Sequence, residues 1–128
     1  MSASTANSED PSIFTVETLI KYMGNDQKAL SVVVKIVGDA IATGNEPLLR
    51  ASAAVDAGDY AAAAHIFHGL RGSIGTLGTK RFVAAALALE LGMAEKRHAD
   101  VAPLLACAQA EFELALKHAH QWLSLHRA

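Results

Sequence analysis

Apolar residues recur every three or four positions along most of the chain, a spacing that places them on one face of an α-helix. The clearest case follows Asp26, where five apolar residues share a face: Leu30, Val33, Val34, Val37 and Ile41. Glycine, asparagine and aspartate interrupt the pattern at several points, and such residues commonly end one helix and cap the next. The pattern therefore predicts helices joined by short turns, with no strand of useful length.

These interruptions set the boundaries of six predicted helices. The first covers about residues 15–23, the second follows Asp26 and is interrupted at 43–45, and the others cover 47–57, 60–76, a stretch around Phe82 ending near Arg97, and a last helix opening at Asp100. The interruption leaves open whether one long helix is kinked or divided there. Four substantial amphipathic helices with short connections predict an all-α fold, an antiparallel four-helix bundle with an additional short N-terminal helix.

Composition fits one helical domain and excludes several classes of protein. The chain has 128 residues, and 52% are hydrophobic but only 5% aromatic, as tight packing of small side chains between helices requires. A formal net charge of −2 gives no basic field for nucleic acid. No apolar run approaches the ~20 residues of a membrane span, and no secretion signal is visible. The single cysteine, Cys107, excludes an internal disulfide. We therefore expect a monomeric, cytoplasmic protein that binds neither nucleic acid nor membrane.

The N-terminal residues differ in composition from the rest. Residues 1–12 are rich in Ser, Ala and Asn and contain Glu9, Asp10 and Pro11, which predicts a disordered segment. We assign residues 13–126 to the folded domain.

The predicted helix at 60–76 has an unusual solvent face. At about 100° per residue, an ordinary core face is formed by Ala63, Ile66, Leu70, Ile74 and Leu77. The opposite face carries Ala61, Ala64, His65, His68, Arg71, Gly72 and Gly75. Exposed helix positions usually hold Glu, Lys or Gln, and each glycine costs up to about 1 kcal/mol relative to alanine. A face of this kind is therefore a candidate for a function.

His68 lies at the centre of this face. Gly72 and Gly75 follow it by four and seven residues, so they clear space one and two turns further on. Arg71, three residues after His68, places a permanent cation beside the ring. Taken singly, the glycines could serve close helix packing and His68 could be an ordinary surface residue. Their convergence favours an exposed histidine that another molecule can approach, with a cation to hold an anion.

The run from His68 to Gly78 resembles the signature of histidine phosphotransfer (HPt) domains, His-x-Leu-Lys/Arg-Gly-Ser/Ala followed by Leu-Gly. Gly58-Asp59, ten residues earlier, and Leu89-Glu90, in the next helix, also fit the family. The resemblance covers about residues 14–122. It implies that His68 is the phosphorylated histidine and that His65, one turn earlier, is a neighbour on the docking surface.

The resemblance implies a phosphocarrier of two-component phosphorelays. His68 would accept a phosphoryl group from an aspartyl phosphate on one receiver domain and pass it to an aspartate on another. Arg71 would steady the phosphoryl group, and receivers of response regulators and hybrid kinases would approach a docking face formed by Ala61, Ala64, His65, Gly72 and Gly75. Receivers supply the aspartate, Mg²⁺ and a lysine, so we expect no cofactor and no metal on this chain. No ATP-binding motif is visible, so we expect no kinase activity of its own.

Two other functions are considered. Glu95 and His98 have the Glu-x-x-His spacing of di-metal helical bundles, but a second such pair is missing from the sequence. The other alternative is an interaction module that binds a receiver or kinase without carrying phosphate. The presence of His68, Arg71 and Gly72 together argues against that module.

Overall fold

The computed structural model describes residues 10–126, which form six α-helices and one 3₁₀ turn without a strand. The elements are α1 (Glu17–Tyr22), α2 (Gln27–Thr43), α3 (Glu46–Asp56), α4 (Tyr60–Ser73), the 3₁₀ turn (Gly75–Leu77), α5 (Lys80–Ala94) and α6 (His98–His126). The all-α prediction, with its short N-terminal helix, is confirmed. The predicted disorder of residues 1–12 falls mostly on residues 1–9, which lie outside the described residues.

The helices form a bundle in which neighbouring helices pack against one another. Contacts run from α3 to α4, from α4 to α5, from α5 to α6, and from α6 back to α2. One side of the bundle is therefore formed by two helices, α2 and α3. The turn between them contains Gly44, which has a φ of 63°. Asp26 starts α2 as predicted, because its side chain accepts a hydrogen bond from the Ala29 N–H at 2.8 Å. The sequence left open a kink or a division at this break, and the structure shows a division.

Phenylalanines fill the centre of the bundle. Three of them are almost fully buried: Phe67, Phe82 and Phe112. The rings of Phe82 and Phe112 pack edge to face, with their centroids 5.2 Å apart. The predicted core face of α4 omitted Phe67 and included Ile66, which is only partly buried. Ile66 still packs against the core, but the omission of Phe67 was wrong, because α4 packs against both α3 and α5 and its buried arc is wider than a single stripe.

The end of α4 differs from the prediction in a way that matters for the site. The α-helix stops at Ser73 instead of Thr76, and Gly75–Leu77 continue as a 3₁₀ turn that ends at Gly78 with a φ of 70°. The buried Thr79 hydroxyl donates to the Ile74 carbonyl at 3.0 Å and stabilises the turn that follows α4. The later boundaries also shift, because α5 ends at Ala94 and α6 begins at His98.

The segment before α1 is hydrogen-bonded to the 3₁₀ turn and to the start of α5. The Thr15 N–H donates to the Leu77 carbonyl at 3.0 Å, and the Arg81 N–H donates to the Ser12 carbonyl at 2.9 Å. The Arg81 side chain lies between Glu111, at 2.9 Å, and Asp10, at 3.6 Å. Residues 10–12 therefore form a turn with defined partners.

No helix within the described part of the chain combines the length and the apolar character needed to cross a membrane.

Candidate functional site

The start of α4 fixes which of its residues face outward. Asp59 caps the helix by accepting from the Ala62 N–H at 3.1 Å, immediately after Gly58 in a left-handed conformation. With this start, Ala63 and Phe67 point into the core with no exposed surface. His68 follows Phe67 by one residue, about 100° further around the helix, and is exposed to solvent.

Arg71 lies beside the His68 ring, one turn further along α4. Its Nη2 is 3.0 Å from the Nδ1 of His68. A guanidinium has donors and no acceptor, so Nδ1 must accept this hydrogen bond. The ring nitrogen left for another molecule is Nε2.

Glu90 of α5 holds Arg71 in this position. The Nε of Arg71 donates to one carboxylate oxygen of Glu90 at 2.6 Å, and Nη2 donates to the other at 3.0 Å. The side chains of Arg71 and Glu90 are only 23% and 14% exposed, so the pair is largely shielded from water. In the sequence, Glu90 stands out only through the family resemblance, because a contact across 19 residues has no periodic signal.

The electrostatics of the pair favour a permanent cation at the ring. The hydrogen bonds to Glu90 raise the pKa of the Arg71 guanidinium, and the charge of Glu90 adds to this effect, while burial opposes it. Arg71 therefore remains a donor to Nδ1. The sequence predicted that Arg71 is a cation free to meet an anion, whereas in the structure its donors are divided between Glu90 and His68.

The two glycines of the docking face have different surroundings. A Cβ on Gly72 would meet no atom within 4 Å, so this position is open as predicted. Gly75 belongs to the 3₁₀ turn and faces α5, where a Cβ would lie 3.3 Å from the Cγ2 of Val83. The prediction that Gly75 lies on α4, two helical turns after His68, is wrong, because α4 ends at Ser73.

A shallow depression extends from Arg71 between the end of α4 and the start of α5. It is lined by Arg71, Gly72, Gly75, Thr76, Lys80, Val83 and Ala84. Its lining is mostly apolar and includes two cations, Arg71 and Lys80. It therefore offers room beside His68 for part of another molecule.

The remaining members of the docking face divide into exposed and half-buried residues. Ala61 and His65 are exposed, on the same side of α4 as His68. Ala64, which was predicted for the same face, is half-buried and packs against the core. The wide buried arc of α4 is again the reason.

The residues of the rejected metal hypothesis have other partners. The Glu95 carboxylate accepts from Arg97 at 2.9 Å, and the Nδ1 of His98 lies 3.1 Å from the Tyr60 hydroxyl. Between residues 10 and 126, no three His, Cys, Asp or Glu side chains are grouped as a metal ion would require.

Comparison with known proteins gives one match. The family model described as Hpt domain matches residues 35–122, more than half of the chain. The matched part includes His68, Arg71 and Glu90. Neither the curated proteins nor the solved structures gave a match.

Proposed function

Because this chain belongs to the Hpt domain family, we propose that it is a phosphorelay carrier whose His68 accepts a phosphoryl group from a receiver aspartyl phosphate and passes it to another receiver aspartate. The family match supports a histidine phosphotransfer role in two-component signalling. The observation that carries the assignment to His68 is its exposed ring, whose Nδ1 contacts Arg71 and whose Nε2 faces away from that contact.

The transfer step needs little from this chain beyond position. The Nε2 of His68 forms a bond to phosphorus, the bond between phosphorus and the aspartyl oxygen breaks, and the carboxylate leaves with the electron pair. Because Nδ1 accepts from Arg71, the one proton of the neutral ring lies on Nε2, and it has to pass to water or to the departing carboxylate so that the Nε2 lone pair can bond to phosphorus. Onward transfer runs the same steps in reverse, with a second aspartate as the attacking group and one proton returned to the ring.

Arg71 and Glu90 would prepare the ring for this step. Arg71 fixes the orientation of the imidazole and places a positive charge one side chain away from the incoming phosphoryl group. Glu90 fixes Arg71 in turn, so the ring does not have to be ordered during the reaction. The Mg²⁺ and lysine that receivers contribute belong to the partner, and we propose no cofactor and no kinase activity for this chain.

The approach of a receiver would use the docking face. Ala61 and Gly72 leave low relief around His68, His65 presents a second exposed ring one turn earlier, and the depression beyond Gly72 extends this surface towards α5. Small side chains here allow the loops around a receiver aspartate to reach Nε2. A monomeric state and a cytoplasmic location remain predictions.

The direct test is phosphotransfer from a panel of phosphorylated receiver domains to the purified chain. We expect at least one receiver to lose its phosphoryl group while the chain gains an acid-labile, base-stable label that mass spectrometry places on His68. A receiver that binds tightly while no phosphoryl group moves would instead identify the interaction module without phosphate. Absence of both binding and transfer across the panel would count against the proposal.

A further inference from the structure

We infer that Arg71, held by Glu90, keeps the Nδ1 of phosphorylated His68 free of a proton and thereby slows loss of the phosphoryl group to water. The inference rests on the proposed function, because it concerns the lifetime of a phosphohistidine at His68. It gives Arg71 a role on the side of the ring away from the phosphoryl group. Glu90 becomes a positioning residue that acts through Arg71.

The contact between Arg71 and His68 determines where the ring can hold a proton. A neutral imidazole has one N–H, and here Nδ1 is occupied as an acceptor at 3.0 Å from Nη2, so the proton lies on Nε2. When a phosphoryl group takes the place of that proton, the ring carries none while Arg71 stays on Nδ1. The raised pKa of the guanidinium ensures that Arg71 does not supply one.

The protonation of Nδ1 decides how readily the phosphoryl group leaves. In hydrolysis, the oxygen of water bonds to phosphorus, the P–N bond breaks, and Nε2 keeps the electron pair. With a proton on Nδ1 the departing ring is a neutral imidazole, whereas without one it is an imidazolate, a much poorer leaving group. Transfer to a receiver breaks the same bond, but there the receiver's own cations act on the phosphoryl oxygens.

Glu90 has opposite effects with and without Arg71. With Arg71 present, both carboxylate oxygens bind the guanidinium and hold it against the ring. Without Arg71, the carboxylate of Glu90 is left as a largely buried acceptor on the Nδ1 side of the ring, because Oε1 and Nδ1 contact the same Nη2, and its negative charge there favours a proton on Nδ1. Removing Arg71 alone should therefore remove the protection and, in addition, favour protonation of Nδ1 by leaving the Glu90 carboxylate without its partner.

Within residues 10–126, none of the other charged groups around α4 forms a hydrogen bond or an ion pair with the ring. On α4 itself His65 is the neighbour one turn earlier, and on α5 Lys80 lines the depression. On α3, Glu46 and Arg50 pair with each other at 3.0 Å, and Asp56 is exposed near the end of the helix. Among the described residues, Arg71 is the one side chain that hydrogen-bonds to His68.

Three variants separate protection by Arg71 from other roles. Arg71→Met removes the donor and leaves Glu90 as an acceptor. The double variant Arg71→Met/Glu90→Met removes both groups and leaves no buried carboxylate without a partner, so it remains testable if the single variant fails to fold. Lys80→Met is the matched control, because it removes a cation from the same depression without touching Nδ1.

The experiment phosphorylates the full chain with phosphoramidate, removes the donor, and follows loss of the phosphohistidine by intact mass at neutral pH. We expect wild type and Lys80→Met to be slowest, the double variant intermediate, and Arg71→Met fastest, about tenfold or more above wild type, as the strength of a charge-assisted hydrogen bond implies. Long-range ¹H–¹⁵N spectra of the unphosphorylated proteins should show Nδ1 without a proton in wild type and with one in Arg71→Met.

Two results would overturn the inference while leaving the proposed function intact. One is equal hydrolysis of labelled wild type and double variant. The other is acceleration by Lys80→Met as large as that by Arg71→Met, which would assign the effect to overall charge. Failure of wild-type His68 to be labelled by phosphoramidate or by any receiver would count instead against the proposed function itself.

Discussion

Arg71 and Glu90 join α4 to α5 through two hydrogen bonds, from Nε to Oε2 at 2.6 Å and from Nη2 to Oε1 at 3.0 Å. This two-point geometry needs the planar guanidinium, because an ammonium is a single point of charge. The pair also positions the site, because Glu90 holds the guanidinium where its Nη2 contacts the Nδ1 of His68.

Substitution of the two exposed histidines should distinguish the phosphate acceptor from its neighbour. We expect His68→Gln to abolish labelling by any phosphorylated receiver, while far-ultraviolet circular dichroism stays helical, because His68 is exposed and makes no core contact. His65→Gln is the matched control and should retain most of the labelling. Loss of labelling in His65→Gln alone would reverse the assignment.

The Arg71–Glu90 pair should show strong energetic coupling in a double-mutant cycle. Both side chains are mostly shielded, so removing one partner leaves the other charge poorly solvated, and we expect a coupling of about 1–3 kcal/mol. Urea unfolding of wild type, Arg71→Met, Glu90→Met and the double variant measures it.

The pair of Lys35 and Asp39 provides a control for that cycle. Its side chains are 78% and 70% exposed, and surface pairs of this kind contribute between 0 and about 1 kcal/mol. Equal coupling in both cycles would show that the Arg71–Glu90 pair is as solvated as a surface pair.

Two open glycines of α4 should separate stability from docking. A Cβ on Gly69 or Gly72 would meet nothing within 4 Å, so each change to Ala should stabilise the protein by about 0.5–1 kcal/mol. Gly72→Glu should remain folded but lose transfer from a protein donor, because a bulky anion would stand beside His68. Phosphoramidate labelling of the same variant should fall much less. Equal loss with both donors would place the role of Gly72 in the site itself.

Gly75 should behave differently from these helical glycines. Its added Cβ would press on Val83 at 3.3 Å, so the gain expected for a helix interior should be lost and the change to Ala should be neutral or destabilising by up to about 1 kcal/mol. Thermal unfolding of Gly75→Ala in the wild-type and Val83→Ala backgrounds tests this. We expect the smaller residue at 83 to make the substitution more favourable, and identical shifts in both backgrounds would contradict the crowding.

The turn after the site should tolerate no side chain at Gly78. Gly78 has a φ of 70°, and its Cβ would overlap the carbonyl oxygen of Thr15, so Gly78→Ala combines backbone strain with a clash. We expect a loss of roughly 3 kcal/mol or more.

Gly58 is the matched control for that loss. Its φ is 76° but nothing lies within 4 Å of its Cβ position, so Gly58→Ala should cost only the strain, about 1–2 kcal/mol. Equal losses in the two variants, measured by urea unfolding, would show that the segment at Thr15 does not press on the turn.

The sequence determined the elements and the outward position of His68, because both depend on local periodicity. Asp26 and Asp59 mark helix starts that the structure reproduces, and a spacing of 3.6 residues per turn was enough to place Arg71 beside His68. The family resemblance rested on the same local run, and the match over residues 35–122 confirms it. These features could be predicted because each residue involved lies within one or two turns of its partner.

Only the tertiary structure decided what surrounds that histidine. The burial of Phe67 depends on packing against two helices at once, and the place of Gly75 depends on α4 ending at Ser73, where Thr79 holds the turn. Above all, the contact of Glu90 with Arg71 depends on how α5 returns along α4 after that turn. No periodicity encodes such a contact, because its geometry is set by the turn and by the packing of both helices on the shared core.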